Sequence, residues 1–145
     1  MDDKRAVASG AAPDPYGGGH YSPGIVAGGL VFTSGQGPIR PGTNEVVRGT
    51  FAEQTHLTID NLENVLRAAG SGLERVVKAT VYLADLADWP AFDAIWRERV
   101  GGVPPARTTV RADLLAGMRV EIDAVALAER SSPAHIPVES PVPSR

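Results

Sequence analysis

The sequence has no cysteine. That excludes a disulfide framework and all thiolate chemistry. It leaves the redox compartment open but fits a cytoplasmic location. Histidine is scarce, and His20, His56 and His135 show no ligand spacing, which argues against a zinc site. Positive charge is not in excess: 14 Lys and Arg face 17 Asp and Glu, for a net charge of -3. A chain so balanced lacks the clustered basic face of a nucleic-acid binder. No apolar run approaches membrane-spanning length, and no basic start precedes an apolar stretch, so neither a membrane partner nor a signal peptide is expected. Aromatic residues make up 6% of the chain, and Trp89 and Trp96 read as packing rather than as a platform for bases. Gly17-Gly18-Gly19 lacks the lysine and following helix of a phosphate loop. Thr33-Ser34-Gly35-Gln36-Gly37 lacks the first glycine of a nucleophile elbow, so Ser34 reads as a strand-end hydroxyl bonded to backbone.

What is present suffices for one folded unit. Of 145 residues, 43% are apolar, which suits a single globular domain with a core. Alternation predicts a short edge strand at Arg5-Ala6-Val7-Ala8, then strands at Ile25-Val26-Ala27 and Leu30-Val31-Phe32-Thr33-Ser34 around a Gly28-Gly29 turn. Residues 12–19 are too rich in proline and glycine for regular structure and read as a flexible loop. A helix begins at Thr50 as N-cap, with Glu53 three residues on. Phe51, Thr55, Thr58, Leu62, Val65, Leu66 and Ala69 recur at helical spacing, and Gly70 stops it. Residues 74–83 alternate as a strand, with Val77, Ala79, Val81 and Leu83 on one side. A second helix starts at Asp88 as N-cap, carries Pro90 in its first turn, and presents Phe92, Ile95, Trp96 and Val100 as its apolar stripe. The order predicts an α+β fold, a mixed sheet with both helices packed on one face. The other face is left bare in a monomer, so an oligomer that buries it is expected. The domain is placed at residues 1–130. Residues 131–145 have recurrent proline and no periodicity, and read as an extended or disordered tail.

The last two strands carry the chemistry. Arg107, Thr109 and Arg111 alternate onto one face, and Arg119, Glu121 and Asp123 do the same in the next strand. The link at 113–118 is short enough for antiparallel neighbours. That pairing sets Arg111 opposite Arg119 and Thr109 opposite Glu121, with Arg107 one diagonal step from Glu121. A guanidinium fork suits an anionic substrate group, and a carboxylate beside it can steer a water. An ordinary cross-strand ion pair fits the same spacing and is the commoner arrangement.

Six stretches stand in order along the chain: Tyr21-Ser22-Pro23-Gly24, Val31-Phe32-Thr33-Ser34-Gly35-Gln36, Asn61-Leu62-Glu63-Asn64-Val65-Leu66-Arg67-Ala68-Ala69-Gly70, Val76-Val77-Lys78-Ala79-Thr80-Val81-Tyr82-Leu83, Pro105-Ala106-Arg107-Thr108-Thr109-Val110 and Val120-Glu121-Ile122-Asp123-Ala124-Val125-Ala126. Together they closely resemble the Rid family of reactive intermediate deaminases, also called the YjgF family. The resemblance implies a chorismate-mutase-like fold, a homotrimer, and ligand clefts between subunits. It implies hydrolysis of 2-imino acids or their enamine tautomers to 2-oxo acids and ammonia, with no metal or organic cofactor. By position it assigns carboxylate binding to Arg107, water orientation to Glu121, the N-terminal tyrosine to Tyr21, the serine-glycine pair to Ser34 and Gly35, and a site-lining backbone carbonyl to Thr109.

The chain departs from that pattern at Asp93, where the deaminase branch usually has asparagine. An ionised carboxylate cannot donate a hydrogen bond, and it adds negative charge near an anionic ligand if it faces the cleft. A solvent-facing place on the helix fits its spacing equally. Gly17-Gly18-Gly19-His20 before Tyr21 and the proline-rich tail also lie outside the pattern. Two other readings stand beside hydrolysis. One is a non-catalytic ligand-binding or chaperone-like trimer, against which Glu121 argues. The other is an enzyme dedicated to one pathway. A ribonuclease, as some of the family have been called, is opposed by the acidic balance.

Overall fold

The sheet grows from a hairpin. In the computed structural model, which describes residues 3–8 and 10–129, β1 (Arg5–Val7) pairs antiparallel with β2 (Gly24–Ala27), and β2 with β3 (Leu30–Thr33). Gly28 and Gly29 turn the hairpin at φ 58° and 76°, where a side chain would be strained. The tail expected over 131–145 lies outside the described residues. The loop before β2 is more ordered than its composition suggests. Tyr16–Gly18 form a 3-10 turn, and the Tyr16 amide donates to the Tyr21 hydroxyl at 2.7 Å.

Helix α1 (Phe51–Ala68) starts as expected: the Glu53 amide donates to Thr50 Oγ1 at 3.1 Å. It buries Phe51, Ile59, Leu62, Val65 and Leu66 against the sheet. The stripe also contains polar residues that hydrophobic spacing does not single out. Asn61, fully buried, donates to the carbonyls of Gly37 and Ile39 at 2.9 and 2.8 Å, which pins the loop after β3 to the helix.

Strand β4 (Val76–Leu83) begins two residues later than predicted, because Leu73–Arg75 form a 3-10 turn. A bulge between Val76 and Lys78 shifts the alternation, so Val76 takes the buried place and Val77 is exposed. Helix α2 (Trp89–Arg99) is not capped by the Asp88 side chain. A 3-10 turn at Leu86–Asp88 precedes it, and Asp85 Oδ1 accepts from the Ala87 amide at 2.9 Å. Asp88 instead pairs with Arg119 at 3.1 Å.

The larger departure concerns the last strands, β5 (Ala106–Arg111) and β6 (Val120–Leu127). They are not neighbours. The sheet order is β1-β2-β3-β6-β4-β5, with β5 parallel to β4 and β6 antiparallel to both β3 and β4. Helix α2 is the crossover that a parallel β4–β5 pair requires. The short link then straddles the end of β4: the Ala112 amide donates to the Leu83 carbonyl at 3.0 Å, and the Ala84 amide to the Arg119 carbonyl at 3.1 Å. Arg111 therefore does not face Arg119, nor Thr109 Glu121.

The result is an α+β fold with a mixed six-stranded sheet. Both helices join one core with Val31, Val76, Ala79, Val81, Leu83, Val120, Ile122, Ala124 and Ala126 on one sheet face. The opposite face bears exposed Phe32, Val110 and Leu127 among polar residues. Among the described residues no helix is long and apolar enough to cross a membrane.

Candidate active site

Arg107 aligns with Ala79 in the parallel ladder, and Thr109 with Val81, so both point to the helix-covered face. There α2 receives the guanidinium. Its Cζ lies 5.4 Å from the ring centroids of both Trp89 and Phe92. Nη1 donates to Asp93 Oδ1 at 3.0 Å, and Arg97 Nη2 donates to the other oxygen of Asp93 at 3.1 Å. The hydrogen bond from Arg107 holds the Asp93 carboxyl below its ordinary range, with a smaller contribution from Arg97. Asp93 is thus neither solvent-facing nor free. With Arg97, Arg107, Trp96, Pro104 and Pro105 it lines an open cleft of about 640 Å³.

Glu121 aligns with Tyr82, on the bare face. The chain after β3 wraps onto it. Gln36 and Ile122 exchange backbone hydrogen bonds at 2.8 and 2.9 Å, which brings Gly35 against the glutamate. A Cβ on Gly35 would lie 2.7 Å from Glu121 Cδ and from Oε2, so only glycine leaves room for the carboxylate as it stands. Ser34 Oγ donates to the Ser22 carbonyl at 2.6 Å, joining the segment after Tyr21 to the same corner. Burial raises the Glu121 carboxyl above its ordinary range, and the charge of Asp123 adds to the shift. Asp123 is itself held by a hydrogen bond from the Tyr82 hydroxyl at 2.8 Å.

The predicted residues thus fall into two groups. Gly35 meets Glu121 on one side, with Ser34 next to it in the chain and bonded to the Ser22 carbonyl, and Tyr21 in that adjoining segment with its hydroxyl engaged by the Tyr16 amide. Arg107, Asp93 and Thr109 lie on the other side. Arg107 and Glu121 do not meet within one chain, because β4 lies between them and they point to opposite faces. Sequence reasoning missed Trp89 and Phe92 as partners of Arg107. Their spacing carried the signal: 89, 92, 93, 96 and 97 form one helical stripe in which two aromatics and a carboxylate converge.

Over residues 10–128 the sequence matches the family described as Endoribonuclease L-PSP. The mitochondrial protein mmf2 of Schizosaccharomyces pombe is 42% identical over 113 residues, 75% of this chain and 88% of that protein. A 2-iminobutanoate/2-iminopropanoate deaminase of Dermatophagoides farinae is 32% identical over 130 residues, 89% of this chain and 100% of that one. Among solved structures, the Rid family protein YyfA of Yersinia pestis matches with TM-score 0.82 at 30% identity, covering 87% of this chain and 100% of its own. TdcF of E. coli, solved with bound serine, matches with TM-score 0.79 at 28% identity, covering 86% and 99%. The mixed sheet with two helices on one face has the α+β architecture of these solved structures. The chain belongs to the endoribonuclease L-PSP family, the group also called Rid or YjgF.

Proposed function

We propose that this protein is a hydrolase of C=N bonds, converting 2-imino acids or their enamine tautomers to 2-oxo acids and ammonia. It works as a homotrimer whose clefts join the Arg107 side of one chain to the Glu121 side of the next. The observation that carries this reading is the placement of Arg107 and Glu121 on opposite sheet faces, each held in a prepared setting. Neither side alone both fixes a substrate and activates water. The relative named as an imine deaminase and the family membership support the same chemistry. A cytoplasmic location belongs to this reading, although mmf2 carries a mitochondrial name.

In the proposed reaction Arg107 orients the substrate through its carboxyl end, with Thr109 beside it. Ser34, Gly35 and Tyr21 shape the opposite wall. Glu121, whose raised affinity for protons suits general acid-base work, takes a proton from water as the oxygen adds to C2. The same carboxyl passes that proton to nitrogen. The adduct's hydroxyl proton is then taken by Glu121 and handed to nitrogen as the C–N bond breaks, so that neutral ammonia leaves and the C2 oxygen becomes the carbonyl of a 2-oxo acid. An imine carbon is already electrophilic, so positioning and proton transfer carry the rate.

The test is ammonia release from freshly generated 2-iminobutanoate and 2-iminopropanoate. Arg107→Lys should lower kcat/KM on the order of 10- to 100-fold, because an ammonium lacks the planar fork. Glu121→Gln should lower kcat while 2-oxobutanoate still binds. Ammonia release no faster than in buffer overturns the hydrolase. Full activity in both folded variants overturns the residue roles. A second reading, a non-catalytic ligand-binding trimer, is favoured by the ligand in TdcF. It requires binding of 2-oxobutanoate without turnover.

A further inference from the structure

Arg107 lies where its charge matters most. Its side chain is 15% exposed, against 82% for Arg97, so water screens Arg107 far less. Asp93 sits on it at 3.0 Å and lines the same cleft. Arg97 reaches Asp93 from the solvent side, where its own charge is largely screened. The inner part of the cleft therefore presents a nearly neutral pair, one guanidinium beside one carboxylate. A free carboxylate entering there gains from Arg107 and loses to Asp93 at similar range. A carboxamide meets both groups on good terms: its carbonyl accepts from the guanidinium, and its NH2 donates to a remaining lone pair of Asp93.

Resting on the hydrolase reading above, we propose that Asp93 is a specificity-determining residue that turns this cleft toward 2-imino and 2-oxo compounds with a neutral, amide-type head group. Free 2-imino acids are accepted more weakly. The reaction at C2 is unchanged, since the head group takes no part in bond making or breaking. The surroundings of the pair agree with this role. The aromatic rings of Trp89 and Phe92 favour the cation but offer nothing to a second anion. The second cation acting on Asp93, Arg97, is largely exposed to water.

The experiment titrates 2-oxobutanoate and 2-oxobutanamide by calorimetry into the wild-type chain, Asp93→Asn and Asp93→Ser, with melting temperature taken on each sample. The wild type should bind the amide at least as tightly as the acid. Asp93→Asn should shift the acid-to-amide affinity ratio about tenfold or more toward the acid. If Asp93→Asn does not fold, Asp93→Ser should give the same shift. An unchanged ratio overturns the proposal. So does weaker binding of the acid in the variants, which would mean that Asp93 only orients Arg107, and so does failure of both ligands to bind. Ammonia release from the corresponding imines, measured in parallel, separates this proposal from the one it rests on. A shifted ratio without turnover leaves Asp93's role in place and removes the hydrolase. Turnover with an unchanged ratio does the reverse.

Discussion

Arg107 aligns with Ala79 and Glu121 with Tyr82, on opposite edges of β4 and opposite faces of one sheet. The two groups best suited to bind an acid and move a proton are thus kept apart within the chain. A second chain must close the distance if they act together.

Mixing subunits tests this directly. Arg107→Ala and Glu121→Gln should each be inactive alone. Refolded together in equal amounts, they should recover about a quarter of wild-type activity, because random assembly pairs the two intact sides at that frequency. Light scattering should show three times the protomer mass. A monomer, or no recovery in the mixture, contradicts the shared site.

Glu121 makes a prediction about stability. Its folded-state pKa is raised, chiefly by burial and then by Asp123. Between the unfolded and folded values the folded chain holds the extra proton, so stability falls as pH rises through that window. Glu121→Gln removes the charge and should raise the melting temperature at pH 7. The gain should shrink as pH falls through the raised folded value toward the ordinary glutamate range, and be gone below it. A constant difference from acid to neutral pH contradicts the assignment.

Gly35→Ala should separate folding from catalysis. The new methyl would fall 2.7 Å from Glu121 Cδ, so the carboxylate must move, while the backbone at Gly35 needs no left-handed conformation. A displacement of about 1 Å at a general base lowers turnover on the order of 100-fold. Circular dichroism should stay native, and steady-state kinetics should register the loss.

Asn61→Ala should do the reverse and act on stability first. Its amide serves two carbonyls inside the core, Gly37 and Ile39. Leaving them unpaired costs about 2–4 kcal/mol, measurable by urea unfolding. A change within the scatter of the method would mean that the loop is held by other contacts.

The helices are readable in the sequence because their signals are local. Thr50 and Glu53 lie within one turn, and the apolar spacing from Phe51 to Ala69 repeats too often to mislead. Strand pairing is different. Alternation tells which side chains share a face but not which strand lies alongside. The short link after β5 suggests adjacency to β6, and only the hydrogen bonds of Ala84 and Ala112 reveal that it straddles β4. The bulge at Val77 is equally silent, since an apolar residue there reads as one more inward position. Arg107 and Glu121 stand out by chemistry and family resemblance. The contact between Gly35 and Glu121 depends on strands far apart in sequence. The capture of Arg107 by Asp93 depends on how α2 crosses over β5.

Among the described residues strand β6 comes last in sequence, yet it lies inside the sheet, between β3 and β4. Without it the sheet order leaves two separate sets of strands, β1-β2-β3 and β4-β5, each with an open inner edge. Such edges are templates for pairing with other chains. A stop codon or a stalled ribosome before residue 120 would therefore release two sticky fragments in tandem rather than a smaller folded protein. Closure of the sheet during synthesis thus waits on eight residues, Val120–Leu127.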